Sequence, residues 1–213
     1  FAFMNITINQ LSEDLNQRLI APLPGESAHQ TMRVESKVKF NFPYSVKTAI
    51  PAAVLIHLFP ENNDIQFFLT KRTNEVEHHK GQISLPGGAW EDGEQLHETA
   101  LRETEEEIGV SRNIIQLIGG LTPFFTPVTG FMIHPFIGWS TEKPETEIQD
   151  KEVHELFSAS IFELIDENIF MTENWAIRGY DANVPFYNFG GRKVWGATGA
   201  ILSEFKSILK EII

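Results

Sequence analysis

Gly88-Ala-Trp-Glu-Asp-Gly-Glu94-Gln-Leu-His-Glu-Thr-Ala-Leu-Arg102-Glu103-Thr104-Glu105-Glu106-Glu107-Ile108-Gly109-Val110 is the stretch whose reading decides the fold. From Glu94 onward it lacks proline and is rich in strong helix formers, which predicts a helix over residues 94–108. Asp92 is the expected N-cap, with Gln95 three residues on, and Gly109 the expected stop. Each helical residue advances about 100°, so Glu106 and Glu107 lie roughly 60° and 40° to either side of Glu103. Three carboxylates therefore share one face, while His97, Leu101, Thr104 and Ile108 cluster on the face expected to meet a sheet. Like charges three and four residues apart repel, and that repulsion is relieved if cations occupy the face. Hard carboxylate oxygens suit Mg²⁺ or Mn²⁺. Read from the acids alone, a solvated acidic face, with Arg102 pairing locally to Glu98, Glu105 or Glu106, is the better account of the run.

Upstream, residues 52–59 and 65–70 read as two strands, and Pro60-Glu-Asn-Asn-Asp64 as the turn of a hairpin. A short strand over 82–85 runs into Pro86-Gly87-Gly88. Downstream, strands are expected over 115–121, 131–138, 153–157, 184–189 and 193–195, with a closing helix over 198–212. Residues 1–45 read as an N-terminal extension packed on the domain, with a short helix over 12–20 ended by Pro22-Leu-Pro-Gly25. Residues 46–213 read as one domain. Strands interleaved with helices indicate an α/β or α+β layered sandwich, although periodicity leaves the strand order open.

The bulk composition bounds the function. The chain has 213 residues, 42% of them hydrophobic, so one well-packed domain is expected. Its formal charge of −12 argues against nucleic-acid backbone as a partner. No apolar run approaches the ~20 residues of a membrane span. With no cysteine, disulfides and thiolate metal sites are excluded. The opening residues lack a signal-peptide pattern, so a cytoplasmic protein is expected. Neither a P-loop nor a dinucleotide-binding glycine pattern occurs; Gly196-Ala-Thr-Gly199 lacks the P-loop lysine.

The spacing across the whole segment satisfies Gly-x5-Glu-x7-Arg-Glu-U-x-Glu-Glu-x-Gly-U, where U is a bulky aliphatic residue, and so resembles the Nudix box. Gly88, Glu94, Arg102, Glu103, Glu106, Glu107, Gly109 and Val110 match; Thr104 stands where the family usually has Ile, Leu or Val. The resemblance implies the Nudix fold, a mixed β-sheet between helices with a loop–helix–loop catalytic element. It implies hydrolysis of a pyrophosphate bond in a nucleoside diphosphate derivative. It also implies that Glu103, Glu106 and Glu107 are ligands of Mg²⁺ or Mn²⁺, that the carbonyl of Gly87 is a further one, and that Arg102 and Glu94 orient the acids.

The flanks are similar to the coenzyme A pyrophosphatase branch of that superfamily. Leu69, Thr70, Arg72, His79, Gly81, Gln82 and Pro86 to Gly88 match its upstream signature; Pro127-Val-Thr129-Gly130 and Val194-Trp195-Gly196-x-Thr198 match downstream. Thr73, Leu85 and Glu77 depart from it, Glu77 standing where the branch commonly has Arg. The resemblance implies cleavage of coenzyme A or its thioesters to 3',5'-ADP and 4'-phosphopantetheine, with Arg72, His79 and Gln82 contacting substrate. ADP-ribose or another nucleoside diphosphate derivative is the alternative substrate, and a non-catalytic Nudix-fold binding module the alternative class. A homodimer is compatible with this assignment. Glu152 is the candidate for an added carboxylate, with Glu155 its competitor, so the general base is open between Glu103 and these two. The aromatics Phe124, Phe125, Phe131, Phe136 and Trp195 suit either a substrate pocket or the core.

Overall fold

Alternation along the first long strand sets the layers. The structure is a computed structural model that describes residues 6–38, 41–73, 82–177 and 179–213. In chain order it runs α1 (Ile8–Arg18), α2 (Glu26–His29), β1 (Glu35–Ser36), β2 (Ile50–Glu61), β3 (Asp64–Arg72), β4 (Ile83–Ser84) and β5 (Gly87–Ala89). There follow α3 (Leu96–Ile108), β6 (Gln116–Gly120), β7 (Phe124–Thr126), β8 (Phe131–Trp139), β9 (Val153–Ser160) and α4 (Ile161–Ile165). The chain closes with β10 (Phe170–Ile177), β11 (Tyr180–Phe189), β12 (Arg192–Val194) and α5 (Gly196–Ile212).

Side chains of a strand point alternately to opposite faces. On β2, Ala53, Leu55 and Phe59 pack with Phe68 of β3 and with Ala100 and Ile108 of α3. Ile56 and Leu58 point the other way, into the larger core shared with α1, α4 and α5. The main sheet thus lies between helices, as expected. Its order is β4-β3-β2-β8-β6, with β9 on β3, β5 on β2 and β7 on β8. β2 and β8 are parallel while β2 and β3 are antiparallel, so the sheet is mixed. The β2–β3 hairpin turns on Asn62 and Asn63, at φ 52° and 61°, a conformation that asparagine tolerates better than most residues.

A second sheet, β1-β11-β10 with β12 beside β11, packs on the same core. The sequence reading missed β1, β5, β7 and β10. β10 leaves Phe170 and Met171 exposed, so it lacks the apolar-in, polar-out alternation that marks a strand. The first helix begins four residues earlier than expected, because the Thr7 hydroxyl accepts from the Gln10 amide and caps it. Its Ile8, Leu11 and Leu15 enter the main core. A buried carboxylate, Glu204 of α5, holds the following segment: it accepts from the Gly25 and Thr122 amides, the Thr122 hydroxyl and His29 Nε2.

Candidate functional site

The first wall of the site is a glycine pair. β5 lies antiparallel on β2, with Val54 opposite Gly87 and Ala53 opposite Gly88. A Cβ on Gly87 would stand 2.3 Å from the Ala53 carbonyl oxygen and 2.7 Å from the Val54 Cα, so only glycine fits. A Cβ on Gly88 would instead stand 2.4 Å from the carboxyl carbon of Glu103. The absence of that one carbon is what lets the Glu103 carboxylate lie on the β5 backbone.

Helix α3 supplies the second wall. Its N-cap is Gln95, in a reciprocal box with Glu98, which corrects the expected Asp92. Gly109 ends it at φ 72° in the left-handed conformation, as expected. The carbonyls of Glu107 and Ile108 accept from the amides of Gln149 and Glu147, each at 2.9 Å. That pairing satisfies the helix end and draws residues 147–152 alongside it. The Thr104 hydroxyl donates to the Ala100 carbonyl at 2.7 Å. The departure from an aliphatic residue is therefore satisfied within the helix and leaves the site untouched.

Between these walls is a cavity of about 550 Å³, lined by Arg72, Gly87, Gly88, Ala89, Glu91, Arg102, Glu103, Glu106, Glu107, Gln149 and Glu152. The three box acids meet there in unlike environments. Glu107 is buried, at 3% exposure; it accepts from the Gly87 amide at 3.2 Å, and Arg72 Nη1 lies 3.5 Å from it. Burial pushes its carboxyl up to about 8, against the pull of Arg72 and the Gly87 amide. Glu103 is also raised by burial, a shift opposed by Arg102 and reinforced by Glu106 and Glu152. Glu106 is the exposed member.

Arg102 organises the cluster. Its Nε and Nη2 pair with both oxygens of Glu94, at 3.1 and 3.0 Å. Nη1 reaches Glu103 at 2.8 Å and Glu106 at 3.1 Å, and Nη2 also donates to the Ala89 carbonyl. The Arg102 hydrogen bond, with further ones from Glu91 N and Thr99, holds Glu94 down to about 2. Glu94 therefore stays ionised, anchors the guanidinium and takes no place in the cavity wall.

Of the residues singled out in the sequence, Arg72, Gly87, Gly88, Arg102, Glu103, Glu106, Glu107 and Glu152 meet at this cavity. Glu155 does not: it pairs with Arg192 at 2.6 Å. Gln82 is not among the described cavity walls; its carbonyl accepts from the Arg72 amide and fixes that strand end. His79, like Glu77 and Gly81, lies outside the described residues. Gln149, Glu91 and the Ala89 carbonyl were missed, because nothing in their local sequence marks them; the fold alone brings them in. Among the aromatics, Phe124 packs on the main core, and Trp195 meets Trp175 edge to face. Phe136 lines a separate cleft of about 410 Å³ with Pro51, Trp90 and His97.

Hard divalent cations suit this donor set. Four carboxylates, those of Glu103, Glu106, Glu107 and Glu152, surround one space, and the buried one has only a long contact to a cationic group. Among the described residues no three acids already converge as a closed cage, since Arg102 holds Glu103 and Glu106.

The fold and the site agree with what the chain resembles. The NUDIX domain family matches residues 49–178. Nudix hydrolase 3 of Caenorhabditis elegans is 30% identical over 173 residues, covering 74% of this chain and 72% of that protein. The mitochondrial Nudix hydrolase 15 of Arabidopsis thaliana is 34% identical over 168 residues, 75% of this chain but 59% of that protein. The uncharacterized Nudix hydrolase NudL of Enterobacter sp. (strain 638) is 31% identical over 154 residues, 72% of this chain and 79% of its own length. Among solved structures, the Nudix hydrolase RenU of M. smegmatis shares the fold, with a TM-score of 0.53 at 16% identity over 84% of this chain and 94% of that one. With the box acids gathered at one cavity and the family matching across the sheet and α3, the chain belongs to the Nudix hydrolases and is a pyrophosphohydrolase.

Proposed function

We propose that the chain hydrolyses the pyrophosphate bond of coenzyme A or its thioesters, releasing 3',5'-ADP and 4'-phosphopantetheine, with Mg²⁺ or Mn²⁺ as cofactor. The observation that carries this reading is a convergence. Arg72, from the upstream signature, lines the same cavity as the box acids, although about thirty residues separate them. A guanidinium binds two phosphate oxygens at once, which suits a substrate with a diphosphate bridge.

Glu103, Glu106 and Glu107, with the Gly87 carbonyl, would hold the cations. Those ions supply charge neutralisation at the diphosphate and at the departing phosphate. The protein's own residues do the rest. Arg102, anchored on Glu94, keeps Glu103 and Glu106 oriented. Glu103 accepts from Arg102 and is assigned to the cations, so it is already committed. Glu152 is therefore assigned as the carboxylate that takes a proton from the attacking water. Glu155, committed to Arg192, is set aside.

Glu77 favours the second reading, in which ADP-ribose replaces coenzyme A, because it puts an acid where the branch commonly has a cation. Steady-state hydrolysis of coenzyme A, acetyl coenzyme A and ADP-ribose with Mg²⁺ decides between them, Glu103→Gln being the inactive control. A higher kcat/KM for the coenzyme A compounds is expected. The reverse ranking overturns the substrate and leaves the class intact; no turnover on any of them would favour a binding module.

A further inference from the structure

The two arginines of the cavity are employed very differently. Arg102 spends its donors on Glu94, Glu103, Glu106 and the Ala89 carbonyl, five contacts between 2.8 and 3.1 Å. Moving it would strand four acceptors. Among the described residues Arg72 makes one charge contact, Nη1 to Glu107 at 3.5 Å, which is too long for a good hydrogen bond. Its Nε is buried and, among the described residues, has no hydrogen-bond partner. A guanidinium with five donors and this little return is not locked by its surroundings.

The backbone under Arg72 is nevertheless fixed. Its amide donates to Gln82, and the β3–β9 register shifts between Lys71 and Arg72, so that Arg72 stands opposite Val153. The extra residue, His154, lies in β9, so β3 keeps its alternation and Arg72 shares the face of Phe68, which packs with α3. That alternation aims the guanidinium between buried Glu107 and the cavity that also holds Glu103, Glu106 and Glu152. About a quarter of the side chain remains exposed, at 27%. Arg72 therefore sits over the carboxylate assigned to the cation, with its outer edge toward the space where the diphosphate would lie.

We infer that Arg72 is an exchangeable partner, which rests against Glu107 while no cation is bound and is handed to a phosphate of the substrate when a divalent cation takes Glu107. No covalent step is involved; the guanidinium gives up one close contact for another. The consequence is thermodynamic coupling. Cation binding frees the guanidinium for phosphate, and phosphate binding removes the guanidinium from Glu107, so each ligand raises the affinity of the other. This rests on the proposed reading that Glu107 holds a cation and that a diphosphate lies in the cavity. It makes Arg72 a positioning residue whose second role is invisible to a turnover assay alone.

Calorimetric titration of the full chain with Mn²⁺ alone, with α,β-methylene-ADP alone, and with each in the presence of the other tests it. For wild type the two probes should strengthen one another by about tenfold, the value of one charge-assisted hydrogen bond. In Arg72→Gln the Mn²⁺ affinity should be kept or rise, because nothing is displaced. The mutual strengthening should collapse toward unity. Arg72→Lys, which keeps the charge but not the fork, should retain part of it. Weaker Mn²⁺ binding in Arg72→Gln, with a near-ultraviolet circular dichroism spectrum like wild type, would make Arg72 a fixed support and overturn the inference. Unchanged coupling would do the same. If wild type takes up no Mn²⁺, the metal-site reading itself fails and this inference goes with it.

Discussion

Replacing Gly88 with alanine is the sharpest test of how the site is built. The new Cβ would stand 2.4 Å from the Glu103 carboxyl carbon, against 3.4 Å for an ordinary van der Waals contact, so about 1 Å must be gained. The neighbour that yields is the flexible end of a side chain, and the backbone need not move. Glu103 now accepts from Arg102 Nη1 at 2.8 Å; a displacement of that size takes it out of hydrogen-bond range. Losing one charge-assisted contact, and with it the position of a carboxylate that faces the substrate, should reduce kcat roughly 10²-fold. The fold should hardly notice, with Tm within a few degrees of wild type. Gly87→Ala is the contrasting case. Its Cβ would meet backbone, Ala53 O at 2.3 Å and Val54 Cα at 2.7 Å, so the β5–β2 pairing must break and Tm should fall steeply. Steady-state kinetics and thermal melts of the two variants check both halves. A Gly88→Ala enzyme with intact fold and wild-type kcat would show that the placement of Glu103 is not what the glycine serves.

Two further outcomes follow from the buried acids. Glu107 has a folded-state value near 8, above its ordinary 4.5, so between these values the folded chain holds a proton that the unfolded chain lacks. Its contribution to metal-free stability is present below about 4.5 and is lost as the pH rises through about 8. Mg²⁺ should replace that proton, so the gain in Tm on adding Mg²⁺ should be larger at pH 8.5 than at pH 6; equal gains would refute the placement of a cation at Glu107. Glu204→Ala removes the common acceptor of Gly25 N, Thr122 N, Thr122 Oγ1 and His29 Nε2, at 3.0, 3.1, 2.6 and 3.2 Å. It should destabilise the chain by about 3–5 kcal/mol, a Tm loss on the order of 10 °C, while leaving kcat at low temperature near wild type. A melt unchanged by that substitution would mean that the N-terminal segment is held by its apolar contacts alone.

What the sequence determined by itself was whatever is set by local periodicity and fixed spacing. The helical repeat put Glu103, Glu106 and Glu107 within one arc, Gly109 ended the helix, and Asn62-Asn63 turned a hairpin. The register of Gly88 and Glu94 with those acids indicated the family before any fold was known, because a loop–helix element places its side chains by counting residues. Tertiary structure decided what counting cannot reach. The helical wheel gave the three acids equal standing, whereas packing against the sheet buries Glu107, half-buries Glu103 and leaves Glu106 in solvent. The sequence preferred Glu152 and kept Glu155 as its competitor; the place of Glu152 at the cavity wall, just before β9, and the Arg192 partner of Glu155 separated them. Gln149 entered through a backbone bond to the helix end, which no side-chain pattern records. The same holds for the catalytic helix and its glycines. The row of acids in residues 103–107 fixed where cations would be wanted, and the missing carbon of Gly88, with Arg72 drawn from a distant strand, fixed how the acids are placed, since contacts between residues far apart in the chain depend on the path of the whole fold.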